Sequence, residues 1–394
     1  MKEGWEYIAF KNVYPIKMGK TPPRGDKSSW DEKKETHNKW VSIADISNNE
    51  GKTIEDTKEY ISDSAAEKIN KVSKGSLLMS FKLSIGRMAF AGDDLYTNEA
   101  IIAIPKNDKY ILRFIYFYLL SYDWLSLTEG NEKVKGATLN KSSIGKIQLP
   151  ILSLSEQQSI VDYLDSAFAK IDAMKANAEK ALNEAKALFQ ASLKEMLEPK
   201  EGWEENTLKD VSVIYGNYGL SVPSTEFNGV RYLRITDITE WGDLNDEKVS
   251  AKLDEEKEQE LLEEGDILFA RTGATVGKTL LYKEAFGKCL FAGYLIRYRL
   301  NKEMVLPDFM FYVTHSDKYY KWVLENQKAA AQPNISAKLY NEYVVSYPSL
   351  SEQQSIVATL DSLKSKVDRL QANYNKISQE CDSLKQAILR QVFE

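Results

Sequence analysis

The sequence predicts a mixed α/β (α+β) protein. Two similar globular domains are separated by two long helices that form an antiparallel coiled coil, with a pseudo-twofold internal repeat. The heptapeptide SEQQSIV at residues 155–161 returns unchanged at 351–357. Each copy follows a stretch of domain size and opens a segment whose apolar residues keep the three-four spacing of a helix. The chain therefore consists of one unit written twice.

The repeat divides the chain into four segments. Both globular halves open with the tetrapeptide EGWE, at 3–6 and at 201–204, so the duplication reaches their first residues. We place the first domain at 1–152, the central helix at 153–198, the second domain at 199–348 and the C-terminal helix at 349–394.

Composition limits the class of protein. With 43% hydrophobic and 28% charged residues, the 394-residue chain is typical of soluble proteins with two or three domains. No apolar run approaches the roughly 18 residues of a membrane span, and the first residues do not form a signal peptide, so we expect a cytoplasmic protein without membrane contact. The two cysteines and two histidines have no metal-ligand spacing, so we expect no metal site.

The net charge of −6 does not decide whether nucleic acid binds. Residues 1–150 carry a small excess of Lys and Arg, whereas residues 201–348 carry an excess of Asp and Glu. DNA binding requires a local basic face and not a basic protein.

Within each globular half the same order of elements is predicted. Residues 75–87 and 265–278 match as a turn, a buried strand, a polar loop with a cation and a Gly-cation pair. The aromatic runs at 114–120 and 309–313 have helical spacing and are more typical of a core than of a platform for stacking bases. Other predictions are exposed turns at 19–25 and 216–223 and strands at 40–46, 232–238, 100–104 and 294–298.

The two long helices are predicted from their starts and from their apolar seams. Ser153 with Glu156 and Ser155 with Gln158 are two overlapping capping boxes. At about 1.5 Å per residue each helix spans roughly 60 Å, and small alanines of the first helix would admit the bulkier side chains of the second. The predicted seam positions are 171, 174, 178, 181, 185 and 188 in the first helix and 360, 363, 367, 370, 374, 377, 381, 384 and 388 in the second.

The most suggestive chemical motif is GATVGKT at 273–279, which follows a predicted strand. A phosphate-binding loop needs four residues between its glycines and a helix after it, whereas this segment has three and leads into a second predicted strand. A tight turn is the structural interpretation, and DNA contact by Arg271, Thr272 and Lys278 is the functional one that we favour. Nucleotide hydrolysis stays an alternative.

Motifs of several enzyme classes are missing from the sequence. It has no Asn/Asp-Pro-Pro-aromatic tetrapeptide of an amino-methyltransferase, no dinucleotide-binding fingerprint and no nucleophile elbow. The residues favour a binding protein with two similar readers at the ends of a helical pair. A DNA duplex is the commonest ligand of that geometry, and different loops in the two halves predict a split, asymmetric site. A purely structural coiled-coil scaffold is the other alternative.

Together these features resemble the DNA specificity (S) subunit of type I restriction-modification systems. The resemblance covers essentially the whole chain and is carried by residues 152–161, 347–357 and 265–273 and by the two Gly-Trp starts. The first copy departs from the pattern, since SFKLS at 80–84 replaces the cation-glycine loop and its proline comes earlier, at Pro150.

The resemblance implies a function and a set of partners. Two target-recognition domains would each read a few base pairs of double-stranded DNA, while the helices set the spacing and bind two methyltransferase (M) subunits. The M subunits would carry S-adenosylmethionine and methylate adenine N6, and restriction (R) subunits would add ATP- and Mg-dependent translocation and cleavage. The chain itself would hold no cofactor and would not be an enzyme.

Candidate site residues follow from the loops and the helix starts. Arg, Asn and Thr reach base edges, whereas Lys more often binds phosphate. For partner docking we favour Glu156, Gln157, Gln158, Glu352, Gln353 and Gln354. The candidates for DNA contact are Lys20, Arg24, Lys82, Ser84, Arg87 and Lys141 in the first domain, and Asn217, Tyr218, Arg271, Thr272, Lys278, Asn334 and Lys338 in the second.

Overall fold

The chain forms two compact units. A computed structural model describes residues 2–82, 84–127, 139–252, 261–327 and 333–394. The first unit comprises Met1–Asn177 with Asn375–Glu394, and the second comprises Ala178–Tyr374. Each unit therefore holds one globular domain together with part of each long helix.

The first domain mixes short strands and helices and leads into the first long helix. The strands are β1 (Glu6–Ala9), β2 (Lys39–Val41), β3 (Thr53–Ile54), β4 (Glu59–Tyr60), β5 (Leu77–Ser80), β6 (Met88–Ala91), β7 (Tyr96–Thr97), β8 (Ile101–Ile104) and β9 (Gln148–Ile151). The helices are α1 (Ile43–Asn48), α2 (Asp63–Ala66), α3 (Leu112–Ser121), α4 (Lys141–Gly145) and the long α5 (Leu154–Leu197).

The second domain has the same kind of composition and leads into the second long helix. Its strands are β10 (Glu204–Thr207), β11 (Ser212–Tyr218), β12 (Ser224–Thr225), β13 (Arg231–Leu233), β14 (Ser250–Ala251), β15 (Asp266–Ala270), β16 (Thr279–Leu281), β17 (Cys289–Phe291), β18 (Leu295–Leu300) and β19 (Val344–Tyr347). Its helices are α6 (Pro307–Val313), α7 (Asp317–Asn326), α8 (Ala337–Asn341) and the long α9 (Leu350–Phe393).

Both domains are built on the same antiparallel hairpin. In the first, β5 pairs with β6 and with β8 in a sheet of order β3-β6-β5-β8. In the second, β15 pairs with β16 and with β18 in a sheet of order β11-β18-β15-β16. The first strand of each domain also pairs with its last, β1 with β9 and β10 with β19. The predicted internal repeat and fold class are confirmed.

The aromatic helices supply the cores. Phe114 and Phe117 of α3 are fully buried, as are Phe309 and Met310 of α6. In the first unit the end of α9 joins this core, because the Phe393 ring packs edge-on against Phe114. The prediction that these runs form core and not a base-stacking platform is confirmed.

Of the strands predicted at 40–46 and 232–238, only the first residues form strands. Strand β2 ends at Val41 and α1 begins at Ile43, because Ser42 and Asp45 form a reciprocal capping box. In the second domain the Arg234 backbone N–H donates to the Asp237 carboxylate at 2.8 Å, and a 3-10 turn follows β13. In both halves an aspartate side chain accepts a hydrogen bond from the backbone N–H three residues before it. That N–H is then unavailable for pairing with another strand, so the strand ends there.

The long helices begin where the capping signal predicts. Ser153 N–H donates to Glu156 Oε2 at 2.9 Å, and Glu156 N–H donates to Ser153 Oγ at 3.3 Å. The overlapping box at Ser155 is not formed, since Gln158 Nε2 donates to Asp162 Oδ1 at 2.8 Å instead.

The two helices run antiparallel within each unit. In the first unit Lys385 pairs with Asp172, and Asp382 lies 3.8 Å from Lys175, so residue numbers rise on one helix as they fall on the other. In the second unit Lys186 Nζ donates to Gln371 Oε1 at 2.8 Å, and Phe189 and Leu360 share one core cluster. The predicted antiparallel pairing is confirmed.

Half of the predicted seam positions of α5 are confirmed, since Ile171 is buried and Ala178 and Ala185 are half-buried, whereas the other half are displaced by one residue. Met174 and Leu188 are each 57% exposed, whereas Leu182 and Phe189 are buried. The seam of α9 agrees better, although Leu384 is exposed and Leu389 buried. In the described part of the chain, no helix has the length and apolar character needed to cross a membrane.

Candidate nucleic-acid interface

The second domain brings Tyr218, Arg271 and Asn334 together beside the ends of β11 and β15. The guanidinium carbon of Arg271 lies 4.9 Å from the ring centroid of Tyr218, within the range of a cation–π contact. Arg271 Nε donates to Asn334 Oδ1 at 3.3 Å. The Tyr218 hydroxyl accepts from the Ala337 backbone N–H at 3.0 Å, at the start of α8. The arginine is therefore held on one side by a ring and on another by an amide.

The backbone of Arg271 is fixed on both sides as well. Its N–H donates to the carbonyl of Tyr294 at 3.0 Å, and its carbonyl accepts from Ile335 N–H at 2.9 Å. Tyr294 is 60% exposed and sits directly before β18. Sequence reasoning missed this residue, because the run at 294–298 looks like a strand from its first position. Gly293, directly before the run, was the available signal that the chain turns there.

Other predicted contacts of the second domain surround this cluster, with one exception. Thr272 forms an isolated antiparallel bridge with Asn334, and Asn217 precedes Tyr218 in β11. Lys338 is exposed on α8 next to Ala337. Lys278 instead binds Glu240, with a nitrogen–oxygen distance of 2.9 Å. Lys278 is thus paired with an acidic side chain and is not part of the cluster around Arg271.

In the first domain Arg24 occupies a different aromatic site. Its guanidinium carbon lies 4.2 Å from the Trp30 ring centroid and 5.0 Å from that of Trp40, and both terminal nitrogens bind the Glu59 carboxylate. A cleft beside it is also lined by Lys27, Lys34 and Lys58. Sequence reasoning selected Arg24 but not its aromatic and acidic neighbours, which lie up to 35 positions away in the chain.

The remaining candidates of the first domain lie in two places. Lys82 and Ser84 follow β5, and Lys141 opens α4 close by, since Leu139 N–H donates to the Phe81 carbonyl at 3.0 Å. Leu83 of this loop is outside the described residues. Arg87 instead forms an ion pair of 2.6 Å with Glu50.

Lys20 lies near the loop that follows β5, because the adjacent residue Thr21 binds Glu99, which is close to Lys82. The Thr21 hydroxyl donates to the Glu99 carboxylate and lowers the pKa of that group, and the nearby Lys82 ammonium lowers it further. Lys20 itself is exposed, with its carbonyl accepting from the Trp40 indole at 3.1 Å. The loop cations of this domain are therefore interleaved with carboxylates.

The repeated helix starts contain a buried amide. Gln157 and Gln353 are both 0% exposed. Gln157 accepts from Ile111 N–H at 2.9 Å and donates to the carbonyls of Lys109 and Leu152. Gln353 repeats all three bonds, with Leu306 N–H and with the carbonyls of Met304 and Pro348. This placement corrects the docking expectation for these two glutamines, because an enclosed amide with three internal bonds has no group left for a partner.

The other four docking candidates face solvent. Glu156, Gln158, Glu352 and Gln354 are exposed on the first turns of α5 and α9. Hydrogen bonds from the side chain and backbone of Ser153 hold the pKa of Glu156 below its usual range. Exposed Ser155 and Ser159 recur as exposed Ser351 and Ser355. Each helix therefore presents an identical polar surface at its start.

The glycine-rich segment at 273–279 does not have the architecture of a phosphate-binding loop. Gly273–Thr275 forms a 3-10 turn, and the chain then enters β16 and not a helix. A Cβ at Gly277 would lie 2.8 Å from a Val323 methyl group, so this glycine serves close packing. Among the described residues, no group of His, Cys, Asp and Glu could hold a metal ion.

Fold and surface together define a class of protein: two domains with the same three-stranded antiparallel core, each joined by a buried glutamine to a long helix and each bearing a cation–aromatic cluster. The chain belongs to the type I restriction modification DNA specificity domain family, whose model matches residues 2–184 and 200–379. It is thus a DNA-binding specificity protein of restriction-modification systems, with two target-recognition domains.

Individual relatives agree with this assignment. The chain is 25% identical over 328 residues to the specificity subunit of the type I restriction enzyme EcoBI of Escherichia coli, covering 75% of this chain and 68% of the relative. It is 26% identical over 278 residues to the StySPI specificity subunit of Salmonella potsdam, covering 66% of this chain and 60% of the relative.

A solved structure shares the fold. It belongs to a study of complex assembly and conformational transition of the type I R-M system, and it aligns with 100% of this chain and 98% of its own. The TM-score is 0.76 at 18% sequence identity.

Proposed function

We propose that this chain reads a split, asymmetric DNA site and recruits M and R subunits in the cytoplasm, without catalysing a reaction itself. One observation carries the proposal: the two domains share a core of three antiparallel strands but differ in their loop cations, whereas the helix starts that follow them are identical on their exposed faces. Divergent loops suit two different DNA sequences. Identical helix starts suit two copies of one partner.

In this proposal the partner subunits, and not this chain, catalyse the reactions. M subunits would bind S-adenosylmethionine and methylate adenine, and R subunits would use ATP and Mg. The docking surface on this chain consists of Glu156 and Gln158 on α5 and their repeats Glu352 and Gln354 on α9.

The other two functional classes have less support. Nucleotide hydrolysis through residues 273–279 lacks the helix that would complete the site, and Lys278 is paired with Glu240. A purely structural scaffold gives no reason for an arginine held between Tyr218 and Asn334 at a domain surface.

Methylome sequencing of a host with and without this gene tests the proposal. We expect a bipartite adenine-methylated motif with two different halves, present only when the gene is intact. A scaffold or a nucleotidase predicts no such motif. An unchanged methylome, in a host that expresses the chain together with its methyltransferase partner, would reject the proposed function.

A further inference from the structure

Arg271 differs from the other arginines of the two globular domains in what its terminal nitrogens bind. Among the described residues, Arg24, Arg87, Arg113, Arg234 and Arg299 form ion pairs at 2.7 Å or less. Buried Arg231 and Arg297 donate from a terminal nitrogen to backbone carbonyls. Within the described ranges, the Arg271 side chain donates through Nε alone, to Asn334.

The contacts that Arg271 does make orient its unused edge. Tyr218 covers a face of the guanidinium and Asn334 binds Nε, so the two terminal nitrogens remain as a fixed pair of donors. Because the side chain is already fixed before DNA binds, the entropy cost of binding is lower than for a mobile arginine. The rim carries exposed Tyr294 and Lys338. Among the described residues, no carboxylate lies within ion-pair distance of Arg271.

A planar fork of two donors matches one base edge best. Guanine presents O6 and N7 side by side in the major groove, and a bidentate arginine is their commonest protein partner. Adenine presents a donor beside an acceptor at the same place, so it would leave one guanidinium N–H facing another donor. Phosphate also accepts a bidentate arginine, but contacts with phosphate do not distinguish sequences.

At the position of the first domain that matches Arg271, the residue is a phenylalanine, Phe81. Phe81 N–H donates to the Ala100 carbonyl at 3.0 Å and its carbonyl accepts from Leu139 N–H at 3.0 Å, the same two bonds that Arg271 makes with Tyr294 and Ile335. Phe81 is 1% exposed and Ala100 is buried. The same pair of backbone hydrogen bonds therefore holds a half-buried arginine in the second domain and a buried phenylalanine in the first.

We infer that Arg271, positioned by Tyr218 and Asn334, reads a guanine in the half-site bound by the second domain. The inference rests on the proposed DNA-reading function and adds the base, the reading residue and its two positioning residues. In the described part of the first domain, a buried phenylalanine, Phe81, stands at the matching position.

Two experiments on the complex of the full chain with its M subunits test this assignment. First, the methylated motif is determined for wild type, Arg271→Ala and Arg271→Lys. We expect both variants to accept other bases at one guanine position of one half-site, while every other position keeps its base. Second, that guanine is replaced by 7-deazaguanine, which lacks the N7 acceptor. Wild type should bind the altered duplex about 10-fold more weakly, and Arg271→Ala should show almost no further loss.

The positioning residues and a control complete the design. Tyr218→Leu and Asn334→Ala should relax the same guanine position without changing any other, a result that a loss of general stability would not give. Lys321→Ala, on the exposed face of α7, should change neither motif nor affinity.

Three outcomes would overturn the inference. The motif of Arg271→Ala could be unchanged, its binding could fall equally on all sequences, or 7-deazaguanine could have no effect on wild type at any guanine of either half-site. The last measurement needs no variant, so a folding defect cannot obscure it. In all three cases a wild-type bipartite motif would still support the proposed function, whereas absence of any motif would reject that function instead.

Discussion

Gln157 shows how a single side chain can join a helix to a domain. Its amide binds one N–H and two carbonyls of the same unit, and Gln353 makes the equivalent three bonds in the second unit. The N–H that each glutamine accepts from belongs to the N-cap residue of an earlier helix in the same domain, Ile111 before α3 and Leu306 before α6. Each amide thus satisfies an orphan donor at a helix start.

Replacing either buried glutamine by methionine should destabilise the protein. Methionine has a similar length but cannot form the three hydrogen bonds, so one donor and two acceptors would be left unsatisfied. We expect a loss of roughly 3 kcal/mol in the free energy of unfolding. Urea denaturation followed by fluorescence measures it.

The adjacent exposed glutamines are matched controls for this prediction. Gln158→Met and Gln354→Met change the same atoms one position away on the solvent side, and we expect changes below about 0.5 kcal/mol. Equal losses at buried and exposed positions would contradict the role given to the buried amides.

The SEQQ motif alone does not tell which glutamine is buried. A helix of 3.6 residues per turn turns the two adjacent glutamines toward different directions. The phase of the apolar stripe could have decided it, because Gln157 lies on the line that continues through Val161, Leu164 and Ile171, all buried. By contrast, the neighbours of Arg24 and Arg271 come from distant loops, and no local pattern in the sequence predicts them.

At the scale of elements, the sequence predicts the existence of both long helices and their pairing, but only half of the seam positions of the first helix. Each helix is 44 residues long, and both have strong caps and a sustained apolar period. Alanine occurs on several faces of α5, so the positions of the alanines do not decide which of two adjacent faces of the helix packs against α9. Packing of Leu182 and Phe189 decides between them.

Pairing of the helices can be tested with introduced cysteines. Lys186 and Gln371 are hydrogen-bonded across the pair, so Lys186→Cys with Gln371→Cys should cross-link within one chain through a short bis-maleimide. The native Cys289 and Cys381 are replaced by serine in this background. Mass spectrometry of the digested monomer should detect the linked peptides.

A displaced pair serves as the control for register. Leu188 is exposed, so Leu188→Cys with Gln371→Cys should cross-link much less efficiently. A higher yield from the displaced pair would mean that the phase of α5 is the one predicted from its alanines.

At the scale of the whole molecule, repetition and divergence fall on different surfaces. The domains share hairpins and closing strand pairs, yet their cations differ, with Arg24 beside Trp30 and Trp40 in one and Arg271 on Tyr218 in the other. The helix starts do the opposite, because their exposed residues are the same. Such a pattern was predictable from the two copies of SEQQSIV, whereas the different aromatic sites were not.

The two docking surfaces that we propose are equivalent, which predicts a stepwise loss of partners. Gln158→Arg or Gln354→Arg should each lower the number of M subunits bound per chain from two to one, and the double variant should bind none. Native mass spectrometry of the complex counts the subunits. Loss of both partners from one single substitution, or retention of both in the double variant, would contradict equivalent docking.

The buried amide at each helix start has a mechanical consequence. Three hydrogen bonds in a closed environment replace what would otherwise be a hinge between a globular domain and a rod. Within each unit, the first turns of the long helix and the domain should therefore open together. Backbone amides of those turns should exchange with deuterium as slowly as the domain core, unlike the frayed start of an ordinary surface helix.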